Sequence, residues 1–140
     1  MLAPLDKSVV VTGVGCVTPI GNDVQTFWDS LLAGRSGADR VKSFDTAPYR
    51  AQNGCEVKNF LSPPGSVRGR AAELATQAAR EALLGAGIDS KKEGRRMGVS
   101  LGTTMGEANF LDRLTEKIQS EEAAPWHEVL TRSAWSITAE

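Results

Sequence analysis

Residues 8–21 read Ser-Val-Val-Val-Thr-Gly-Val-Gly-Cys-Val-Thr-Pro-Ile-Gly, a β-branched run that breaks into a glycine-rich turn ahead of a helical pattern. Val9, Val10, Val11 and Val14 show almost no polar alternation, which suits a strand covered on both faces. The expected class is therefore α/β, with helices packed on a largely parallel sheet. Gly13, Gly15 and Gly21 punctuate the exit, where positive φ or close backbone approach is needed. Pro19 biases Thr18 towards an extended conformation.

Working outward, Asn22 and Asp23 stand where a helix cap belongs, and Asn22 with Gln25 has capping-box spacing. Val24, Phe27, Trp28, Leu31 and Leu32 then form one apolar face at helical period, and Gly34 ends the helix. Residues 35–49 read as loop. Gly54 to Phe60 alternates like a short edge strand. After the break Ser62-Pro63-Pro64-Gly65-Ser66, a helix is expected from about Val67 or Arg68 through Ala86, with Gly87 as its stop. Ala71, Ala72, Ala75, Ala78, Ala79 and Ala82 let its backbone pack closely on a neighbour. Asp89 to Arg96 reads as a charged surface loop, and Met97 to Gly102 as a second strand. Gly102-Thr103-Thr104-Met105-Gly106 forms its exit turn, and Glu107 to Ile118 the following helix. Glu121 to Pro125 interrupts, and a last helix holds Trp135 and Ile137. It meets Glu140 with no stop signal, so the chain is expected to be cut there.

With 140 residues the chain has room for about one domain of the common ~100–150 residues. Sixteen basic against seventeen acidic residues, a net charge of -1, create no field favouring nucleic acid or an anionic membrane. No apolar run approaches the ~18 residues of a membrane span. The N-terminus lacks a signal-peptide pattern, so a cytoplasmic location is expected.

The glycine pair Gly13-x-Gly15 invites a dinucleotide-binding interpretation, but Thr18 stands where the fingerprint needs its third glycine, and Pro19 follows. No phosphate-binding GxxxxGK[ST] loop exists. His127 is the only histidine, which removes any mechanism using two imidazoles within the chain. Cys16 and Cys55 lack metal-ligand or disulfide spacing and read as buried free thiols.

Taken together, Val9 to Gly15, Thr18-Pro19-Ile20-Gly21-Asn22, Phe27-Trp28 with Leu31-Leu32-Ala33-Gly34 and Ser36-Gly37, and Phe44-Asp45 closely resemble the start of a β-ketoacyl-ACP synthase. The alanine-rich helix to Ala86-Gly87-Ile88 and the stretch from Gly98 to Gly106 agree in order and spacing. The resemblance implies a thiolase-like fold of layered helices and mixed sheets. Residues 1–140 would be the N-terminal part of that family's N-terminal domain, ending before its cysteine motif. It also implies a homodimer, acyl carrier protein as partner, no cofactor, and elongation of carrier-bound acyl chains by decarboxylative Claisen condensation. That chemistry needs a cysteine nucleophile of lowered pKa and histidines that support decarboxylation. Neither Cys16 nor Cys55 matches the motif, so no catalytic residue is assigned and the chain alone is expected to be inactive.

Two features carry over by resemblance. Met105, with Gly106, sits where the family lines its acyl pocket, although a core methionine after a strand fits the pattern equally. Arg68 and Arg70 open the alanine-rich helix near a carrier-protein docking region, or are simply solvated. Two departures stand out: Gly69-Arg70 replaces a frequent Asp-Arg, and Glu107 replaces a frequent second glycine. A second function remains open, a split or degenerate ketosynthase module that binds a complementary chain without catalysis. The two convincing strands and one weak edge strand fall short of a typical sheet of ~5–6 strands. Aggregation, self-association or dependence on another chain is therefore expected.

Overall fold

The computed structural model describes residues 8–62 and 69–108, with Asp112, Thr115, Glu116, Gln119 and Ser120 beyond them. Helix α1 spans Val24–Leu32, where the apolar period placed it. Asp23 is its cap: the Asp23 carboxylate accepts from the Thr26 N–H at 2.7 Å and from the Thr26 hydroxyl at 2.8 Å. Asn22 instead donates its side-chain amide to the Lys58 carbonyl at 3.0 Å, so the expected capping box does not form. Gly34, at φ 64°, lets the chain leave the helix through the left-handed region.

Helix α2, Arg70–Gly85, is the longest element described and organises the others. Gly87 stops it at φ 67°. The glycines of the opening stretch lie against its backbone: a β-carbon at Gly15 would run into the Ala78 carbonyl oxygen, and one at Gly13 into that of Ala82. Glycine on one side and alanine on the other thus permit an approach that any larger residue prevents. Between these contacts, Glu81 extends one carboxylate to two backbone donors. Its Oε2 accepts from the Cys16 N–H at 3.0 Å and its Oε1 from the Val24 N–H at 2.7 Å. Val24 opens α1, so the same side chain fixes the glycine-rich turn and holds negative charge at the positive end of that helix.

The strands depart from expectation. Residues 8–17 and 97–103 run without regular secondary structure, and the largely parallel sheet is not present among the described residues. Backbone ladders need a neighbouring strand, and only an isolated bridge between Thr18 and Gly21 forms near the first stretch. The sheet that does form is antiparallel and two-stranded, β1 Asp39–Arg40 with β2 Asn53–Gly54, in register Asp39 to Gly54 and Arg40 to Asn53. The edge strand expected over Gly54 to Phe60 stops at Gly54, since the Val57 and Phe60 carbonyls turn to accept from the Arg70 guanidinium. The charged stretch after α2 is not simple loop but a short helix α3, Ser90–Glu93, followed by a 3-10 turn over Gly94–Arg96. Ala108, Asp112, Thr115, Glu116 and Gln119 are helical, in line with the helix expected there. The last helix, with Trp135 and Ile137, and the sole histidine, His127, lie outside the described residues.

Ala72 is the one fully buried apolar side chain among the described residues. Val9, Val10, Val11, Trp28, Leu31 and Leu32 are all exposed, so the apolar stripe of α1 and the opening run both lack cover.

Two outcomes test this packing. Gly15→Ala is expected to lower stability by about 1–3 kcal/mol through overpacking against α2; an unchanged urea midpoint would refute the close approach. The backbone bond from Thr26, and next its hydroxyl, hold the Asp23 carboxyl below its ordinary value of 3.8. A depressed folded-state value means that the cap's contribution is fully present above that pH and is lost as pH falls through the lower one. Asp23→Asn should therefore flatten the acid limb of the stability profile below about pH 4; parallel acid limbs in both proteins would count against it.

Candidate functional site

The exit turn from Gly102 and the amino end of α2 meet. Gly106 adopts φ 55°, and its N–H donates to the Thr103 hydroxyl at 2.9 Å, which closes the turn tightly. Glu107 then directs its carboxylate onto the start of α2, where Oε1 accepts from the Ala72 N–H at 2.8 Å. The cap residue of α2 is Gly69, which offers no side-chain acceptor, so Glu107 supplies from a distance what a local Asp or Ser would supply. The same carboxylate fills the space beside Gly69 that a β-carbon would need. Gly69 and Glu107 thus act together: a cap residue without an acceptor is matched by an acid from the turn.

A small cavity of about 160 Å³ lies between the turn and the helix, lined by Ala71, Ala72, Ala75, Leu101, Gly102, Thr103, Gly106 and Glu107. Small side chains on both walls leave this space, and most of its lining is apolar. Gly106 borders it. Met105 does not and is 71% exposed on the outside of the turn, so it is not a core methionine within this chain.

Arg70 occupies the first turn of α2. Its guanidinium donates to the Val57 carbonyl at 3.1 Å and the Phe60 carbonyl at 3.2 Å, and lies 5.1 Å from the centre of the Phe60 ring. These contacts tie the 57–60 segment to the helix while the side chain stays at the surface. Arg68 lies outside the described residues. Beside Arg70, buried Glu73 accepts from the Ser62 hydroxyl, a second link between the same helix end and the preceding segment.

Cys16 is poorly suited to nucleophilic chemistry. Desolvation, then the Glu81 and Asp23 carboxylates, push its thiol above the ordinary value, the opposite of what a reactive thiolate needs. Cys55 is exposed. A larger open cleft of about 410 Å³ lies at the amino end of α1, lined among others by Asp23, Arg35 and Lys58; Lys58 pairs with Asp39 at 2.8 Å and Asp23 accepts from Thr26. Among the described residues no His, Cys, Asp and Glu cluster could hold a metal ion, and no helix is long and apolar enough to cross a membrane.

Sequence reasoning missed the two carboxylates that organise this region. Glu81 interrupts the alanine stripe between Ala78 and Ala82, and an acid on an otherwise small-residue face was the available signal. Glu107 reads in the sequence as the start of a helix and as a replacement for glycine.

Comparison with known proteins places this geometry. Residues 6–138 match the family described as beta-ketoacyl synthase, N-terminal domain. The tetracenomycin polyketide synthase ketoacyl synthase alpha subunit of Streptomyces glaucescens is 39% identical over a region covering 86% of this chain and 30% of that protein. The 3-oxoacyl-(acyl-carrier-protein) synthase 2 of Staphylococcus aureus (strain COL) is 38% identical, over 72% of this chain and 26% of that protein. Among structures, the ishigamide ketosynthase/chain length factor superposes with a TM-score of 0.70 at 29% identity, covering 92% of this chain and 34% of its own. The chain therefore spans about a third or less of the length of the relatives it matches, and its fold is part of a thiolase-like domain.

Removing the carboxylate at the turn tests the site. Glu107→Ala leaves the Ala72 N–H without its acceptor and is expected to cost about 1–2 kcal/mol, in the range of a lost helix cap. Faster hydrogen exchange at the first turn of α2 should accompany it; unchanged exchange there would show that Glu107 does not cap the helix.

Proposed function

The chain belongs to the β-ketoacyl synthase family, and from that premise we propose that it forms the N-terminal part of a condensing enzyme acting on acyl chains carried by acyl carrier protein. The reaction is acyl transfer followed by decarboxylative carbon–carbon bond formation, in polyketide or fatty acid biosynthesis. The carrying observation is the match over residues 6–138, supported by the superposition on a ketosynthase/chain length factor. In this role the chain contributes scaffold and pocket wall rather than the nucleophile, since the protonated, half-buried Cys16 and the exposed Cys55 do not match the family's cysteine motif.

Met105 and Gly106 are proposed to line the acyl pocket of the assembled enzyme. Glu107, anchored on α2, fixes the position of the turn that presents them. An exposed methionine is adaptable apolar surface suited to a flexible acyl chain. Arg70, and Arg68 before it, are proposed to face the carrier protein. Arg70 keeps donors beyond the two that its carbonyl partners use, because a guanidinium has five. A homodimer, or a complementary ketosynthase chain, is the proposed assembly, with the cytoplasm as its location. The second reading, a module that binds a partner without catalysis, is favoured by the uncovered apolar stretches and the lack of a matching nucleophile.

The purified chain alone is expected to give no β-ketoacyl product from acyl-ACP and malonyl-ACP, and no acyl adduct by intact mass. Within a complete, active enzyme, Met105→Trp is expected to shorten the accepted chains while sparing short primers, because overfilling a pocket penalises the longer ligand. An unaltered product profile would remove Met105 from the pocket.

A further inference from the structure

The stretch Asp89-Ser90-Lys91-Lys92-Glu93-Gly94-Arg95-Arg96 places four cations and two acids side by side, a local surplus of positive charge in a chain whose net charge is -1. The fold gathers them at one place. Gly87, at φ 67°, turns the chain at the end of α2, where its N–H donates to the Leu84 carbonyl and the Ile88 N–H to that of Leu83, both at 3.0 Å. Asp89 then caps α3 by accepting from the Lys91 N–H at 3.0 Å, so the cations are carried by α3 and the 3-10 turn after it rather than by a free loop.

These cations are poorly neutralised. The two acids of the stretch reach Lys92 at 3.6 Å and Arg96 at 3.7 Å, with the cationic side chains 82% and 85% exposed. Both distances exceed an ordinary hydrogen bond, and exposed pairs of this kind contribute little in water, so they exchange readily for better ones. Among the described residues no acid pairs with Lys91 or Arg95. Taking four cations out of water without partners is costly, so this face stays at a surface whatever covers the apolar stretches elsewhere in the chain.

Beside the cations lies an apolar floor. An open cleft of about 580 Å³, lined by Ile88, Lys92 and Arg96 among others, shares Gly87, Ile88 and Asp89 with one of about 500 Å³ lined by Leu83 and Leu84. Leu84 is 81% exposed. Cations on the rim and leucine and isoleucine on the floor complement a helix that carries acids beside an apolar stripe. A nucleic-acid backbone matches the charge but not the floor.

We propose that the end of α2 and the α3 turn form a docking surface for an acidic amphipathic helix of a partner protein. Its apolar stripe lies over Leu83, Leu84 and Ile88, and its carboxylates take up Lys91, Lys92, Arg95 and Arg96. Arg70, which is proposed to face the carrier protein, opens α2 at its other end, so the two surfaces are distinct. The docking surface stands whether or not the condensation role holds.

In the experiment the intact 140-residue chain is titrated into a fluorescein-labelled helical peptide of about four turns, with leucines at helical spacing and glutamates on either side, and anisotropy is followed. Saturable binding is expected, weakening as salt rises because exposed charges are screened. The amides of residues 88–96 should gain protection from exchange in the complex. Lys91→Glu with Arg95→Glu, and separately Leu84→Gln, are each expected to weaken binding at least about tenfold, while Arg40→Glu with Arg50→Glu leaves it unchanged. All five positions are exposed, so the helical circular dichroism of the chain should not move. Absence of binding, equal binding of a peptide whose leucines are replaced by serine, equal loss in the Arg40 and Arg50 double variant, protection only outside residues 88–96, or tighter binding of a single-stranded DNA probe of equal charge would each overturn the proposal.

Discussion

The contact on which the described structure depends is backbone against backbone: Gly13 and Gly15 laid along the alanine face of α2. No side chain intervenes, so the geometry tolerates little change in volume. Because the approach is so close, the direction in which the chain leaves Gly15 is settled, and with it the position at which α1 begins. Glu81 completes the arrangement by accepting from both ends of the turn, at Cys16 and Val24.

The same solution recurs at the other end of the helix. Glu107 reaches the Ala72 N–H from a turn thirty-five positions away, as Glu81 reaches Val24 across fifty-seven. In each case a carboxylate distant in sequence satisfies helix-end donors that a local cap leaves incomplete. Capping here fastens segments together as well as ending helices. It also bears on Cys16, whose thiol desolvation first, and then the Glu81 and Asp23 carboxylates, push above its ordinary value.

In this member of the β-ketoacyl synthase family the apolar flanks of the described residues stand open. Burial of apolar surface is the dominant favourable term in folding, and among the described residues almost none of it is complete. The valines at 9–11 and the α1 residues Trp28, Leu31 and Leu32 remain uncovered. The turn from Gly102 is positioned by Glu107 on one side and by Gly106 in the left-handed region on the other, and Met105 is held outward on it.

The sequence by itself determined the elements whose causes are local. Period and composition located α1 and α2, glycine at positions 34 and 87 marked their ends, and the ordered blocks from Val9 to Gly106 identified the family. It also marked Gly13 and Gly15 as points of either positive φ or close backbone approach. Tertiary structure alone decided which surface they approach, because a glycine shows that space is scarce without showing what occupies it. Partners separated by many residues were likewise invisible: Glu81 and Glu107 read as ordinary helix and turn acids until folding brought backbone donors to them. The same limit explains the strands. A β-branched run encodes a willingness to pair, but pairing needs a neighbour. Within the described residues, Val9 to Val11 and Met97 to Leu101 have none, so the propensity stands in the sequence while the sheet does not form.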